Sequence, residues 1–107
     1  MTNQDIIRNL RLSKEGYLTS FPILLTGVVG EEVRADFFVG RTPHLVRILD
    51  SRRSIYQRLP CLLESLIKYG RSVTLCLYGT NWNNAVRQYV ENKTNGTNVS
   101  VEFINNA

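Results

Sequence analysis

The sequence predicts one α+β or mainly β domain, and three observations carry that reading. Short segments rich in β-branched and aromatic residues recur between turn signals. Three other segments space their apolar residues at helical intervals. The two kinds interleave as α-β-β-β-α-β-α-β over 107 residues, a length that fits a single domain. Residues 1–19 are expected to be an N-terminal helix and linker, and residues 20–104 the core.

The first helix is expected over residues 3–12. Thr2 stands three residues before Asp5, the spacing of an N-cap and its reciprocal acid. Ile6, Ile7 and Leu10 then share one face, and Gly16 breaks the run. "FPILLTGVVGEEVRADFFVG" follows as strand, turn and strand, with the turn at "GEE", residues 30–32. In the second of these strands Val33, Ala35, Phe37 and Val39 alternate with Arg34, Asp36 and Phe38, which gives one core face and one mixed face. Gly40 and Pro43 bracket a loop, and "HLVRILD" makes a third strand ending at Asp50.

Leu59, Leu62, Leu63, Leu66 and Ile67 form an apolar stripe at helical spacing. Proline is tolerated in a first turn but disrupts a helix interior, so Pro60 places this helix at residues 60–69. Gly70 occupies the C′ position, and Lys68 suits the negative end of the helix dipole. "RSVTLCLYG" is a fourth strand, with Val73, Leu75 and Leu77 on one side and Ser72, Thr74, Cys76 and Tyr78 on the other. "NWNNAVRQYVENK" is a helix capped by Asn81, whose packed face holds Trp82, Ala85, Val86, Tyr89 and Val90. "TNGTN" is a loop, and "VSVEFIN" is a fifth strand with Val99, Val101 and Phe103 inward.

The passage "LLESLIKYGRSVTLCLYG" resembles the helix-to-strand-four passage of single-stranded nucleic-acid-binding proteins of the oligonucleotide-binding (OB) fold. The likeness covers roughly residues 20–80. It implies a five-stranded barrel with its helix between strands three and four. The helical segment between strands four and five departs from that pattern, where a loop or hairpin is usual. The alternative architecture is an open α+β sandwich, with a mixed sheet and helices on one face.

Apolar residues make up 43% and charged residues 21% of the chain, which separates it from disordered sequences. The longest apolar run, Phe21 to Val29, is interrupted by Pro22, Thr26 and Gly27, and falls short of the roughly 20 residues that span a bilayer. The N-terminus has no apolar leader, so the expected location is the cytoplasm, with no membrane partner. Cys61 and Cys76 share no metal-ligand spacing and are expected to be reduced core thiols. His44 is the one histidine, and its spacing pairs it with no nucleophile, so it is expected to be a strand-edge residue. Asp36 and Asp50, on neighbouring strands, are the one carboxylate pair that could converge on metal ions. No phosphate-binding glycine loop is present, and no cofactor or catalytic activity is expected. The sequons at Asn92, Asn95 and Asn98 are read as a polar loop, and Trp82 as a core residue.

The net charge of +4 favours an anionic partner. Arg47, Arg52, Arg53 and Arg58 cluster from the third strand into the following turn, and Arg41 lies just before that strand. Arg34 and Phe38 fall on the outer face of the second strand, and Tyr78 is the aromatic of the fourth. Cations that neutralise phosphates and aromatic rings that stack on bases are what single-strand binding needs. These eight residues therefore form the expected site of a small, non-enzymatic protein for single-stranded DNA or RNA. The alternative function is a protein-interaction or assembly module, an adaptor or homo-oligomer subunit of the phage or mobile-element kind. Its contact surface would be the N-terminal helix and "FPILL".

Overall fold

The computed structural model describes residues 2–20, 23–24, 33–49, 53–79 and 84–105. In chain order the elements are α1 (Asn3–Ser13), β1 (Ile23–Leu24), β2 (Val33–Arg34), β3 (Phe37–Val39), β4 (Thr42–Leu49), α2 (Arg53–Tyr69), β5 (Val73–Gly79), α3 (Asn84–Thr94) and β6 (Val99–Asn105). β3, β4, β5 and β6 lie side by side in that order. β3 is antiparallel to β4, whereas β4–β5 and β5–β6 are parallel. β1 and β2 form a separate antiparallel pair, as the sequence predicts for these two strands. The turn expected at residues 30–32 lies outside the described residues.

Among the described residues the four strands form a mixed, open α+β sheet, and no five-stranded barrel is formed. Parallel neighbours need a crossover connection, and α2 and α3 supply one each. Closure would require β3 to meet β6. The outer edge of β3 is instead occupied by the segment after α1. Tyr17 and Phe38 exchange both main-chain hydrogen bonds, each 2.8 Å.

Two crossovers of the same hand in the same direction put their helices on one face. The main core lies there. Leu45, Val73, Leu75, Leu77 and Val99 of the sheet pack with Leu59, Leu63 and Leu66 of α2 and Val90 of α3. A smaller cluster covers the other face, where Phe37, Val46 and Cys76 meet Ile7 and Leu10 of α1. The helices therefore occupy both faces, two against one, rather than a single face. β5 is one of the two interior strands, buried on both sides along almost its whole length. A parallel strand with helices above and below shows an unbroken apolar run for that reason.

α1 begins as the sequence predicts. The Asp5 N–H donates to the Thr2 hydroxyl and the Thr2 N–H to the Asp5 carboxylate, which also pulls the Asp5 pKa down. Its end is less ordinary. The Glu15 N–H donates to the Leu12 carbonyl and the Gly16 N–H to the Arg11 carbonyl, the paired bonds of a Schellman motif. The left-handed position of that motif is Glu15, at φ 56°, and not the neighbouring glycine. A non-glycine residue there costs about 1 kcal/mol. Glu15→Gly is therefore expected to raise the thermal midpoint by about 4 °C. A calorimetric scan checks this, and an unchanged midpoint refutes it.

Four further departures from the sequence reading are local. The second strand is broken into β2 and β3 because Asp36 turns its carboxylate to the Val46 N–H at 2.7 Å, in place of a carbonyl. Side-chain parity flips across that break. Val33 and Ala35 join the main core, while Phe37 and Val39 face α1. Gly40 and Arg41 are the centre of a two-residue hairpin between β3 and β4, with Gly40 at φ 60°, the glycine-first pattern of a type II′ turn. Pro43 then sits inside β4, one residue before the pairing with β5 begins, so its missing N–H breaks no bond to β5. α2 extends to Arg53, with Pro60 in its interior rather than its first turn.

Several side chains also sit elsewhere than expected. On α3, Val90 and Thr94 turn inward and Tyr89 outward, and Ala85 is exposed. Cys76 is buried, but Cys61 is exposed, and both thiols are free. His44 is not at a strand edge. It is buried on the α1 side, stacked on Phe37 at 5.1 Å. Asn81 and Trp82 lie outside the described residues.

Candidate nucleic-acid interface

The expected site residues divide between two ends of β4. At its start, Phe38 pairs across from Pro43 and rests half-buried against the main core. The ring of Tyr17 stacks on Phe38 with centroids 6.1 Å apart and planes 28° from parallel. Tyr17 remains 48% exposed, so one side of its ring faces solvent. Its hydroxyl donates to the Gly40 carbonyl at 2.5 Å, which fastens the ring to the hairpin whose tip carries exposed Arg41. Leu12 and Leu18, also exposed, flank this segment in sequence. Tyr17 was not among the residues the sequence singled out. Its signal is non-local, because only the pairing with Phe38 brings it to the sheet edge.

At the other end of β4, four residues beyond Pro43 and about 13 Å along the strand, Arg47 approaches Asp36 at 3.6 Å and donates to the Val46 carbonyl. Burial raises the Asp36 pKa, opposed by the Val46 N–H and the Arg47 charge. Arg34, exposed on β2, precedes Asp36 by two residues. Arg58 is exposed on α2, over the same face as Arg47. The second aspartate of the candidate carboxylate pair, Asp50, lies outside the described residues, as does Arg52. Arg53 opens α2, and its side chain is likewise outside the description. Tyr78 does not share the arginine face. It follows Cys76 on the α1 side, between Ile48 and Ile104 in register.

The remaining polar clusters are structural in arrangement. On the α1 side the Lys14 ammonium reaches both oxygens of Glu102, at 2.8 and 2.6 Å, and so ties α1 to β6. The Cys76 thiol points at the same carboxylate, 3.9 Å away. Burial lowers the His44 pKa, and its Nδ1 lies 3.1 Å from the Thr42 carbonyl, which places the ring proton there. Among the described residues no three of His, Cys, Asp or Glu converge as metal ligands, and no helix is long and apolar enough to cross a membrane. Asn98 is not a loose loop residue. Its amide donates to the carbonyls of Leu66 and Arg71, both at 2.8 Å, and locks the start of β6 to the end of α2.

A groove of about 500 Å³ runs between α3 and β6. Val99, Val101 and Phe103 are its floor and Arg87 and Glu91 its wall. The Arg87 guanidinium lies 4.8 Å from the Phe103 ring centre and pairs with Glu91 at 3.3 Å. Compared with protein-family models, curated proteins and solved structures, the chain matches none.

Proposed function

We infer that this protein binds single-stranded nucleic acid without catalysing a reaction on it, and that the Tyr17–Phe38–Arg41 corner is where a base is held. The observation that carries this reading is the half-exposed Tyr17 ring, backed by Phe38 and set beside an exposed arginine. A ring held from behind loses little freedom when a base stacks on its open side, and stacking contributes about 1–3 kcal/mol per base. Exposed Arg41 would neutralise an adjoining phosphate. Arg34 on β2 and Arg58 on α2, both exposed, extend the cationic surface, and the net charge of +4 supports long-range attraction.

The test is fluorescence anisotropy with a labelled single-stranded oligonucleotide at two salt concentrations. Affinity is expected to fall with salt. Tyr17→Ala is expected to weaken binding about tenfold, while Tyr17→Phe keeps the ring and most of the affinity. Arg41→Ala lowers the salt slope by about one phosphate contact. Absence of binding at low salt, or equal affinity of Tyr17→Ala and wild type, sinks the reading.

A further inference from the structure

β6 is the outer strand of the sheet among the described residues, and its hydrogen-bond parity can be fixed. The Val73 N–H donates to the Asn98 carbonyl at 3.2 Å, in a parallel register that pairs Val73 with Val99. In a parallel ladder the two main-chain groups of one residue point to the same side, and successive residues alternate. Ser100 and Glu102 therefore direct theirs to β5, while Val101 directs its N–H and carbonyl away from the sheet. Val99 obeys the same parity, and its outward N–H is taken by the Thr97 hydroxyl at 3.2 Å.

Outer strands are usually protected by lysine, proline or a bulge. "VSVEFIN" contains neither lysine nor proline. Its one charged residue, Glu102, pairs with Lys14 but keeps its carboxylate charge and stays 43% exposed. We propose that β6 pairs with β6 of a second copy of this chain, antiparallel about a two-fold axis at Val101, to make one continuous eight-stranded sheet. Each Val101 N–H then donates to the Val101 carbonyl of the other copy.

Charge selects this register. With the axis at Val101, Ser100 stands opposite Glu102 of the second copy and donates its hydroxyl to that carboxylate, while Val99 stands opposite Phe103. With the axis one residue on, the two Glu102 side chains would face each other, a destabilising pair. The groove between α3 and β6 opens on the face that carries Val99, Val101 and Phe103. The pairing is independent of nucleic-acid binding, since the Tyr17–Phe38 corner lies at the β3 edge, on the opposite side of the sheet.

Sedimentation equilibrium of the full chain over about a hundredfold range of concentration tests it. A concentration-dependent dimer is expected. Ser100 is exposed, so its variants leave the core intact. Ser100→Glu is expected to raise the dimer Kd about tenfold, because it creates two symmetric like-charge pairs, and Ser100→Lys to lower it. Val101→Pro removes an N–H that points away from β5, and should abolish the dimer with an unchanged circular-dichroism spectrum. A monomer throughout overturns the proposal and leaves the edge to a foreign strand. A dimer that responds equally to glutamate and lysine at position 100 overturns it as well.

Discussion

Above pH 9 the wild-type protein is expected to lose stability steeply, by up to about 4 kcal/mol at full titration, through one thiol. Cys76 is fully buried in the cluster under α1. Burial first, and then the nearby Glu102 carboxylate, push its pKa up from 9.0 to about 12, while Lys14 opposes them. A thiol whose folded pKa is raised contributes stability that is whole below the unfolded value. That contribution is lost as pH rises through the folded one. Between about 9 and 12 the unfolded chain releases the proton and the folded chain keeps it, so unfolding gains about 1.4 kcal/mol per pH unit. Cys76→Ala isolates the effect from lysines and tyrosines that titrate in the same range. Its cavity cost does not depend on pH, so the stability gap between wild type and variant should be flat below pH 9 and shrink above it. Urea unfolding of both proteins from about pH 8 to about pH 11 measures the gap. A gap that stays constant across that range refutes the assignment.

Gly16→Ala is expected to destabilise the fold by about 2–3 kcal/mol, toward the upper end of what overpacking costs. A Cβ at that position would stand 2.7 Å from Cδ2 of Phe37 and 3.1 Å from the Phe38 carbonyl oxygen. Phe37 is 1% exposed and stacked on His44, so its ring has nowhere to retreat. The Phe38 oxygen is held by the Tyr17 N–H, so it cannot yield without loosening the β3 edge. The same substitution should therefore disturb the Tyr17–Phe38 stack and weaken oligonucleotide binding along with stability. Denaturant midpoints compared with Glu15→Gly make the check sharp, since two adjacent positions are expected to move in opposite directions. A neutral Gly16→Ala removes the claim that this glycine exists for close approach.

Much of the local structure was legible because its causes are local. The Thr2–Asp5 box, the glycine after α2 and the limits of β6 each depend on residues within one turn or strand. The sheet's character was also written in the chain, but in a different signal from alternation. "VTLCLYG" is apolar on both faces, as a parallel strand between helices must be, and a barrel strand with one wet face would not be. Alternation failed where a side chain replaced a main-chain partner. Asp36 takes the Val46 N–H, and that single bond moves Phe37 and Phe38 to the faces opposite to those their spacing predicts. The expected arginine face fared similarly. Arg47 pairs with Asp36, two residues along from Arg34, yet Tyr78 belongs to the other side of the sheet, which only the strand register decides. Tyr17 was beyond reach of any sequence window, being 21 residues from the ring it stacks on.

From β3 to β6 the order of strands across the sheet is their order along the chain. No strand has to be inserted between two others, so the sheet can grow by accretion while the polypeptide is being synthesised, each new strand joining a waiting edge. The vulnerable moment follows from the same order. Once β5 has emerged and before β6 arrives, the uncharged segment "VTLCLYG" is itself the growing edge, and it has the composition of an aggregation-prone strand. At ribosomal speeds that interval lasts about 1–4 s. Slow translation between residues 80 and 98 would prolong it, and fast delivery of "VSVEFIN" would end it.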